Sequence, residues 1–587
     1  MSGKTNSTGL KWRLLSIFLF SLLCLLNSCS TDRAAKPRAD SIYFNGKIIT
    51  VDSAFTIAQA VAVKGDRFLA LGTDKEILAL SGPQTRKIDL EGRTVIPGLI
   101  EAHGHPESAS LSELEEPLPN PRSLGELLDW IRQQAELKSE GEWVIHPKLF
   151  YTRLLELHPP TLEELDSVAP KNPVFLDGSF GGVINSAAMR ASGITEQTQN
   201  PGLLRDKATG KLNGSLRFTA FDLLKLPRQK EYSIAERAQA LKKMFDLYHQ
   251  VGFTSANSGL ASPAEIELYR YMRENRMLNM RIYLNIHADF PFKDMSDEEI
   301  KKTVEALGPA TGHGDEWIRT GPLKTFIDGG ILTGTAFLRE PWGSKAREIF
   351  GVVDPEYRGI ARCTADQFAR LVQAGAEAGW KMTAHSTGGG GVDLMLDAYE
   401  KVNEKSDIRP LRFSIIHGNF FTPEAISRMR KLDIIADMQP AWFYKDADAM
   451  LYILGEKRIR TFHPYKSLIK AGVIVSAGSD HMVILDDKNS INPYSPWLAM
   501  WTMVTRTTER GTVIIPEEAV SREEALRCYT VNNAYASFEE NIKGSIEPGK
   551  LADMVVLETD FLTCPDDEIK DIEVKTTLVG GEVVFEK

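Results

Sequence analysis

The sequence predicts an α/β fold, namely a (β/α)8 TIM barrel with an inserted subdomain and a small β-sandwich built from both termini. The middle of the chain alternates short apolar runs with amphipathic helical patterns, which is typical of a parallel α/β architecture. Eight such runs are counted, the number of strands in a barrel. Both ends of the chain consist of short strands joined by glycine-containing turns. No glycine-rich phosphate motif follows the first run, which disfavours a doubly wound open sheet.

Residues 1–29 have the pattern of a targeting segment and are set apart from the fold. Three basic residues precede an apolar run from Leu14 to Leu26 that is short for a membrane span. The run ends in Leu26-Asn-Ser-Cys29, which resembles the lipobox of bacterial lipoproteins, where the cysteine carries the lipid. We therefore expect an exported lipoprotein of the bacterial cell envelope, anchored to the membrane through Cys29; an ordinary secretory signal is the alternative. Residues 30–40 are polar and indicate a flexible tether.

Composition limits the partners and the redox chemistry. The formal net charge of -10 argues against nucleic acid as a partner. Beyond the leader only Cys363, Cys528 and Cys564 remain, and their spacing suggests neither a disulfide framework nor a thiolate metal site. We expect these three side chains to be small buried hydrophobes.

The two ends of the mature chain are predicted to form one composite β-sandwich from residues 41–97 and 540–587. The first part carries an Asn45-Gly46 hairpin signal, and the second ends in a hairpin around Gly580 and Gly581. Because both segments are rich in strands while the middle is mixed, we expect them to pair with each other.

The barrel is predicted over residues 98–539. Its candidate strands are 99–103, 253–257, 281–286, 323–328, 380–385, 411–417, 434–438 and 473–479. The segment of about 107–235 between the first two strands is too long for a simple loop and has its own strands and helices, so it is predicted to be an inserted subdomain beside the barrel mouth.

Metal-binding side chains recur at the ends of the predicted strands. His103 and His105 alternate on the first strand, so both imidazoles face the same side. His385, His417 and Asp480 end three later strands, and Lys324 begins the fourth. Imidazole and carboxylate ligands suit zinc, and a bound divalent ion generates hydroxide at neutral pH.

Each of these residues also has an ordinary structural interpretation. A single histidine is more often a core residue than a ligand, and Asp480 is also suited to cap a following helix. Lys324 is either a surface lysine or a neutral amine that adds CO2, giving a carbamate able to bridge two ions. Spacing alone leaves these alternatives open.

The chain resembles the amidohydrolase superfamily, and within it the amidohydrolase-3 branch that includes N-substituted formamide deformylase-like enzymes. The matching segments are Pro97-Gly-Leu-Ile-Glu-Ala-His-Gly-His105, Lys324-Thr-Phe-Ile-Asp-Gly329, His385, His417-Gly418, Gln439-Pro440, Gly478-Ser-Asp480, Asn492-Pro493 and Gly544-Ser-Ile-Glu-Pro-Gly-Lys-Leu-Ala-Asp553. The resemblance implies two metal ions per chain, one on His103 and His105 and one on His385 and His417, bridged by carboxylated Lys324. It also implies that Asp480 is a metal ligand and the catalytic base. The chain departs from the pattern at Ser179-Phe-Gly-Gly182, where relatives often carry a histidine.

We therefore expect a metal-dependent hydrolase that cleaves a C–N bond in a small-molecule amide, formamide or cyclic amide. Metal-activated hydroxide attacks the carbonyl carbon, and Asp480 transfers the proton to the departing nitrogen. Trp442, Phe443 and Tyr444 follow the seventh strand and are expected to wall the substrate pocket. The alternatives are an ester hydrolase, a ring deaminase on the same metal site, or a ligand-binding lipoprotein without catalysis. The last is disfavoured because all six site residues are present.

Overall fold

The computed structural model describes residues 1–3, 38–206, 208–228, 230–288, 290 and 295–587. Residues 4–37, which hold most of the predicted leader, Cys29 and most of the tether, lie outside the described residues. The last tether residues are bound to the sandwich: Arg38 Nη1 donates to Ser81 O at 2.8 Å, and Ala39 N donates to Leu80 O at 3.1 Å. Among the helices that are described, none combines the length and the apolar character needed to cross a bilayer.

Eight parallel strands form the barrel, and the predicted fold class is confirmed. They are numbered β1 (Leu99–Gly104), β2 (Phe253–Ala261), β3 (Arg281–His287), β4 (Ile318–Phe326), β5 (Met382–Ser386), β6 (Ser414–His417), β7 (Ile435–Met438) and β8 (Val475–Ala477). Each strand is hydrogen-bonded to the next along the chain. Nearly all their side chains are buried, as expected for parallel strands covered by helices.

The first and eighth strands meet at their carboxyl ends and nearly close the barrel. Asp480 N donates to His103 O at 2.6 Å, and His105 N donates to His481 O at 2.7 Å. The Glu101 carboxylate joins the same two segments, since its Oε1 accepts from His103 N at 3.0 Å and from Ser479 N at 2.8 Å. The seam of the barrel therefore runs through three of the predicted site residues, His103, His105 and Asp480.

Helices surround the barrel and begin at clear sequence signals. Ser233, Ser262, Ser296 and Thr364 are N-caps in capping boxes. The helices of the barrel, which follow the inserted segment, are Ile234–Gln250, Pro263–Glu274, Asp297–Ala306, Ser344–Phe350, Ala365–Glu377, Gly389–Asn403, Pro423–Lys431, Pro440–Ile459, Tyr465–Lys470, Pro496–Thr505, Arg522–Tyr529 and Val531–Ala536. Their apolar faces and the outer faces of the strands share one large core, which contains the buried Cys363, Cys528 and Cys564.

The segment after β1 forms a separate layer over the barrel mouth. Its five-stranded sheet has the order 203–205, 212–217, 181–184, 174–177, 144–146, and its helices are Pro106–Leu111, Leu124–Leu137, Leu162–Val168 and Ser186–Ser192. Residues of this layer, such as Leu127 and Val174, share a core with Ile331 and Phe443 from the barrel loops. The insert is therefore packed directly against the loops at the carboxyl ends of the strands.

Strands from both ends of the chain build two further sheets. One has the order 67–72, 60–64, 41–44, 86–89, and the other the order 582–586, 574–579, 554–557, 94–97, 47–49, 57–58. In the second sheet Val95 pairs with Val556 in an antiparallel ladder. The two sheets share a core that includes Val61, Val63, Val95 and Met554, with the short helix Asp74–Leu78 alongside.

Candidate metal centre

The structure brings the six predicted site residues together at the carboxyl ends of the barrel strands. Five of their side chains are almost completely buried, and the sixth, His105, is 17% exposed. One prediction needs correction: Lys324 does not begin the fourth strand but lies seventh in it, because β4 starts at Ile318. This register places Lys324 near the carboxyl end of β4, beside the histidines.

His103, His105 and Asp480 form the tightest group. His105 Nε2 lies 3.1 Å from Asp480 Oδ1, and His103 Nε2 lies 3.6 Å from the same oxygen. The ligand atoms of all three residues lie within 4.8 Å of one another. Two imidazoles and one carboxylate converging in this way match the ligand types of catalytic zinc sites, which keep a position open for water.

Lys324 links this group to the remaining histidines. Its Nζ lies 3.2 Å from His103 Nε2, within hydrogen-bond distance. Burial lowers the pKa of the Lys324 ammonium to about 8, although the carboxylates of Asp480 and Asp437 oppose this change. The amine is therefore far easier to deprotonate than an exposed lysine, as carbamate formation requires.

His385 and His417 form a second pair, with ring centroids 4.5 Å apart. His385 Nε2–H donates to Gly329 O at 3.1 Å, and His417 Nδ1–H donates to Gln439 Oε1 at 2.7 Å. These bonds fix one proton on each ring and leave His385 Nδ1 and His417 Nε2 with free lone pairs. Backbone carbonyls and amides that orient a ligand histidine in this way are typical of metal sites.

The protonation states also suit a cation. Burial lowers the pKa of His103 and His385 well below the ordinary value and that of His417 to about 4, so these rings are neutral at pH 7. Burial raises the pKa of Asp480, but the hydrogen bond from His105 and nearby positive charge outweigh it and hold that pKa below its usual range. Neutral imidazoles with an ionised carboxylate are the donor set that a divalent ion needs, so the residues fit a metal site.

Two of these residues adopt strained backbone conformations. His417 has φ +72° and Asp480 has φ +55°, a left-handed region that few residues other than glycine occupy. Asn492 supports Asp480, since its Nδ2 donates to Asp480 O at 2.8 Å and lies 3.4 Å from Oδ2. Strain of this kind persists where surrounding contacts fix a functional geometry.

Five of the six site residues, all except His103, line a cavity of about 720 Å³. Of the three predicted wall residues, Trp442 lines this cavity and stacks on His417, with ring centroids 4.5 Å apart. Phe443 and Tyr444 do not line it: Phe443 is buried against Phe462, and Tyr444 packs against Trp501. The three residues are consecutive on one helix, so each side chain points about 100° away from the last.

Sequence reasoning missed several residues that shape the site. Glu101 links the two segments at the barrel seam next to His103. Because it lies two residues before His103 on the same strand, the sequence did indicate that the two side chains share one face of that strand. Gln439 and Asn492 belong to the quoted motifs, but no pattern assigned them a partner. Phe180 lies in the segment that departs from the family pattern, and its ring centroid lies 5.0 Å from that of His385.

Residues 86–585 match the family described as "Amidohydrolase family". The chain belongs to the amidohydrolase family. An N-substituted formamide deformylase from Arthrobacter pascens is 30% identical over 561 residues, which cover 93% of this chain and 98% of that protein.

Solved structures show the same fold. A metal-dependent hydrolase from Pyrococcus furiosus, described as uncharacterized, superimposes with a TM-score of 0.63 and 21% identity, covering 89% of this chain and all of that one. An atrazine chlorohydrolase from Arthrobacter aurescens, complexed with zinc, superimposes with a TM-score of 0.51 and 14% identity, covering 93% of this chain and 95% of that one. This amidohydrolase therefore shares its fold with both of these proteins.

Proposed function

We propose that this amidohydrolase cleaves a C–N bond in an amide, a formamide or a cyclic amide. The observation that carries the proposal is the convergence of the six side chains, which come from β1 and the residue after it, from β4, β5 and β6, and from the segment after β8. Five of the six line one cavity. The formamide deformylase relative supports a carbonyl carbon bonded to nitrogen as the reacting group.

We propose that His103, His105 and Asp480 hold one divalent ion and that His385 and His417 hold a second, with zinc as the metal. Lys324, carboxylated on Nζ, supplies two oxygen ligands between them. Bound ions of this kind lower the pKa of water and polarise a carbonyl oxygen. The chain itself contributes fixed lone pairs on neutral imidazoles. It also contributes a buried amine whose pKa of about 8 makes the neutral form more accessible than in an exposed lysine.

Asp480 is the residue proposed to move the proton. Its carboxylate is ionised at neutral pH and lies on the cavity wall, so Oδ1 or Oδ2 takes a proton from the attacking water and delivers it to the departing nitrogen. Asn492 Nδ2 holds the main chain of Asp480 through its carbonyl oxygen and also lies 3.4 Å from Oδ2, and Trp442 covers one side of His417.

Metal analysis and a substrate screen test the proposal together. We expect about two divalent ions per chain, and hydrolysis of at least one member of a panel of N-formyl, N-acyl and cyclic amides by the metal-loaded protein. The matched control is the Asp480→Asn variant, which should be inactive on the same compounds. A fully metal-loaded protein that cleaves only esters, or nothing in the panel, would contradict the proposal.

We also propose that the protein is a membrane-anchored envelope lipoprotein, on the basis of Leu26-Asn-Ser-Cys29 after a basic and apolar leader. Expression in a bacterium fed a labelled fatty acid should place label on the wild-type chain and not on a Cys29→Ala variant. Equal labelling of both chains would contradict lipidation at Cys29.

A further inference from the structure

The inserted subdomain supplies a polar patch to the cavity of the candidate metal centre. Lys148, Asp177 and Ser179 all line this cavity, and the next residue, Phe180, contacts the ring of His385. The patch is therefore continuous with the metal centre and within reach of a bound substrate. None of these residues belongs to the six side chains of the proposed chemistry.

Lys148 and Ser179 present unused hydrogen-bond donors. Lys148 Nζ donates to Ser179 Oγ at 2.6 Å, and no carboxylate of the described chain lies within 4.0 Å of that nitrogen. An ammonium has three donors, so two remain, and the Ser179 hydroxyl keeps its own proton to donate. Two adjacent donors, one of them cationic, match the two oxygens of a carboxylate.

Asp177 orients part of this patch but forms no direct ion pair with the Lys148 ammonium. Its Oδ1 accepts from Ser179 N at 2.6 Å, which fixes the turn that carries the hydroxyl. Burial raises the pKa of the Asp177 carboxyl, and the positive charge of Lys148 opposes this change. The carboxylate therefore orients Ser179 while the Lys148 ammonium stays available.

Apart from the site residues and this polar patch, the lining of the cavity is mainly apolar. Its lining includes Phe150, Phe180, Phe326, Trp442, Leu332 and Val483. A cavity of about 720 Å³ accepts a ligand of drug-like size, and few precisely placed polar groups then decide its orientation. The walls accordingly suit a substrate with an apolar or aromatic body and one charged group.

We infer that the substrate is an amide with an apolar body and a carboxylate, and that Lys148 Nζ and Ser179 Oγ bind this carboxylate. The inference rests on the proposed function, because the carboxylate group is placed relative to the amide at the metal centre. Lys148 is thus a specificity-determining residue: it selects substrates by charge and takes no part in bond cleavage.

Two formamides provide the test: N-formylphenylalanine carries a carboxylate, and N-(2-phenylethyl)formamide is the same molecule without it. The wild-type enzyme should prefer the acid by roughly 10-fold or more in kcat/KM. Lys148→Met should reduce kcat/KM for the acid roughly 10- to 100-fold, mainly through KM, because a charge-assisted hydrogen bond is lost. It should leave the neutral formamide within about twofold, and Lys148→Arg should restore part of the preference.

A binding measurement separates this inference from the proposed function. Calorimetry on the metal-loaded Asp480→Asn protein should show N-formylphenylalanine binding that weakens roughly 10-fold or more when Lys148→Met is added. Cleavage of both formamides with equal efficiency, or an equal effect of Lys148→Met on both, overturns the inference while the proposed function stands. If neither the two formamides nor the wider panel is cleaved, the proposed function fails, and the binding result alone decides the role of Lys148.

Discussion

The Asp480→Asn substitution tests the proposed proton carrier most directly. Asparagine keeps the size of the side chain and tolerates the left-handed φ of +55° at this position, so the fold should be retained. An amide oxygen is still able to face His105 Nε2, which lies 3.1 Å from Asp480 Oδ1, but the amide cannot accept a proton at neutral pH. Loss of a positioned acid–base group typically lowers turnover by about 10²- to 10⁴-fold, which corresponds to roughly 3–5 kcal/mol of activation free energy.

The assay compares kcat, metal content and melting temperature for wild type and variant on the best amide from the screen. The matched control is Asp433→Asn, because Asp433 has φ +53° but is exposed, pairs with Arg430 and precedes β7 at the opposite end of the strand. We expect the control to retain full activity and Asp480→Asn to lose it while keeping bound metal. Undiminished turnover in a metal-loaded Asp480→Asn protein would refute the proposed role.

Three further predictions follow from single contacts. Gln439→Leu removes the acceptor for His417 Nδ1–H and should weaken metal binding about 10- to 100-fold in a competition assay, whereas unchanged affinity would exclude an orienting role. Trp442→Ala should raise KM, because Trp442 lines the cavity, whereas Phe443→Ala should leave KM nearly unchanged and cost about 3–5 kcal/mol of unfolding free energy, because Phe443 is fully buried in the core. A higher KM for Phe443→Ala than for Trp442→Ala would contradict this assignment. Burial lowers the pKa of His417 to about 4 from its ordinary 6.5, so on acidification the unfolded chain binds a proton at this residue before the folded protein does. The metal-free protein should therefore lose up to about 1.4 kcal/mol of unfolding free energy per pH unit, for this residue, as the pH falls from 6.5 to about 4. Urea unfolding with a His417→Gln control measures this loss, and identical slopes for both proteins would contradict it.

Much of the barrel could be predicted because its strands are short apolar runs with helices between them. The runs beginning at Leu99, Phe253 and Arg281 are all strands in the structure, and they differ from the predicted bounds only at their carboxyl ends. The site could be anticipated for a related reason: parallel strands end on the same rim, so residues that end separate strands meet in space.

Other features depend on long-range contacts that no local pattern contains. The first half of β4 includes the polar residues Arg319 and Thr320, so it lacks the apolar pattern of a buried strand. The predicted strand therefore began too late, and Lys324 was assigned to its start. The contact between Phe180 and His385 joins the insert to the barrel, and the pairing of Lys148 with Ser179 joins two loops of the insert. Only the packed structure brings these residues together.

The pairing of Val95 with Val556 has a consequence for the order in which this protein forms. During synthesis, the strand at 94–97 emerges more than four hundred residues before its neighbour at 554–557. At typical elongation rates of about 5–20 residues per second, one edge of the strand at 94–97 remains unpaired for on the order of half a minute or longer, until the strand at 554–557 has been synthesised. A nascent chain released early would keep an open, hydrophobic strand edge, the kind of surface on which chains associate with one another.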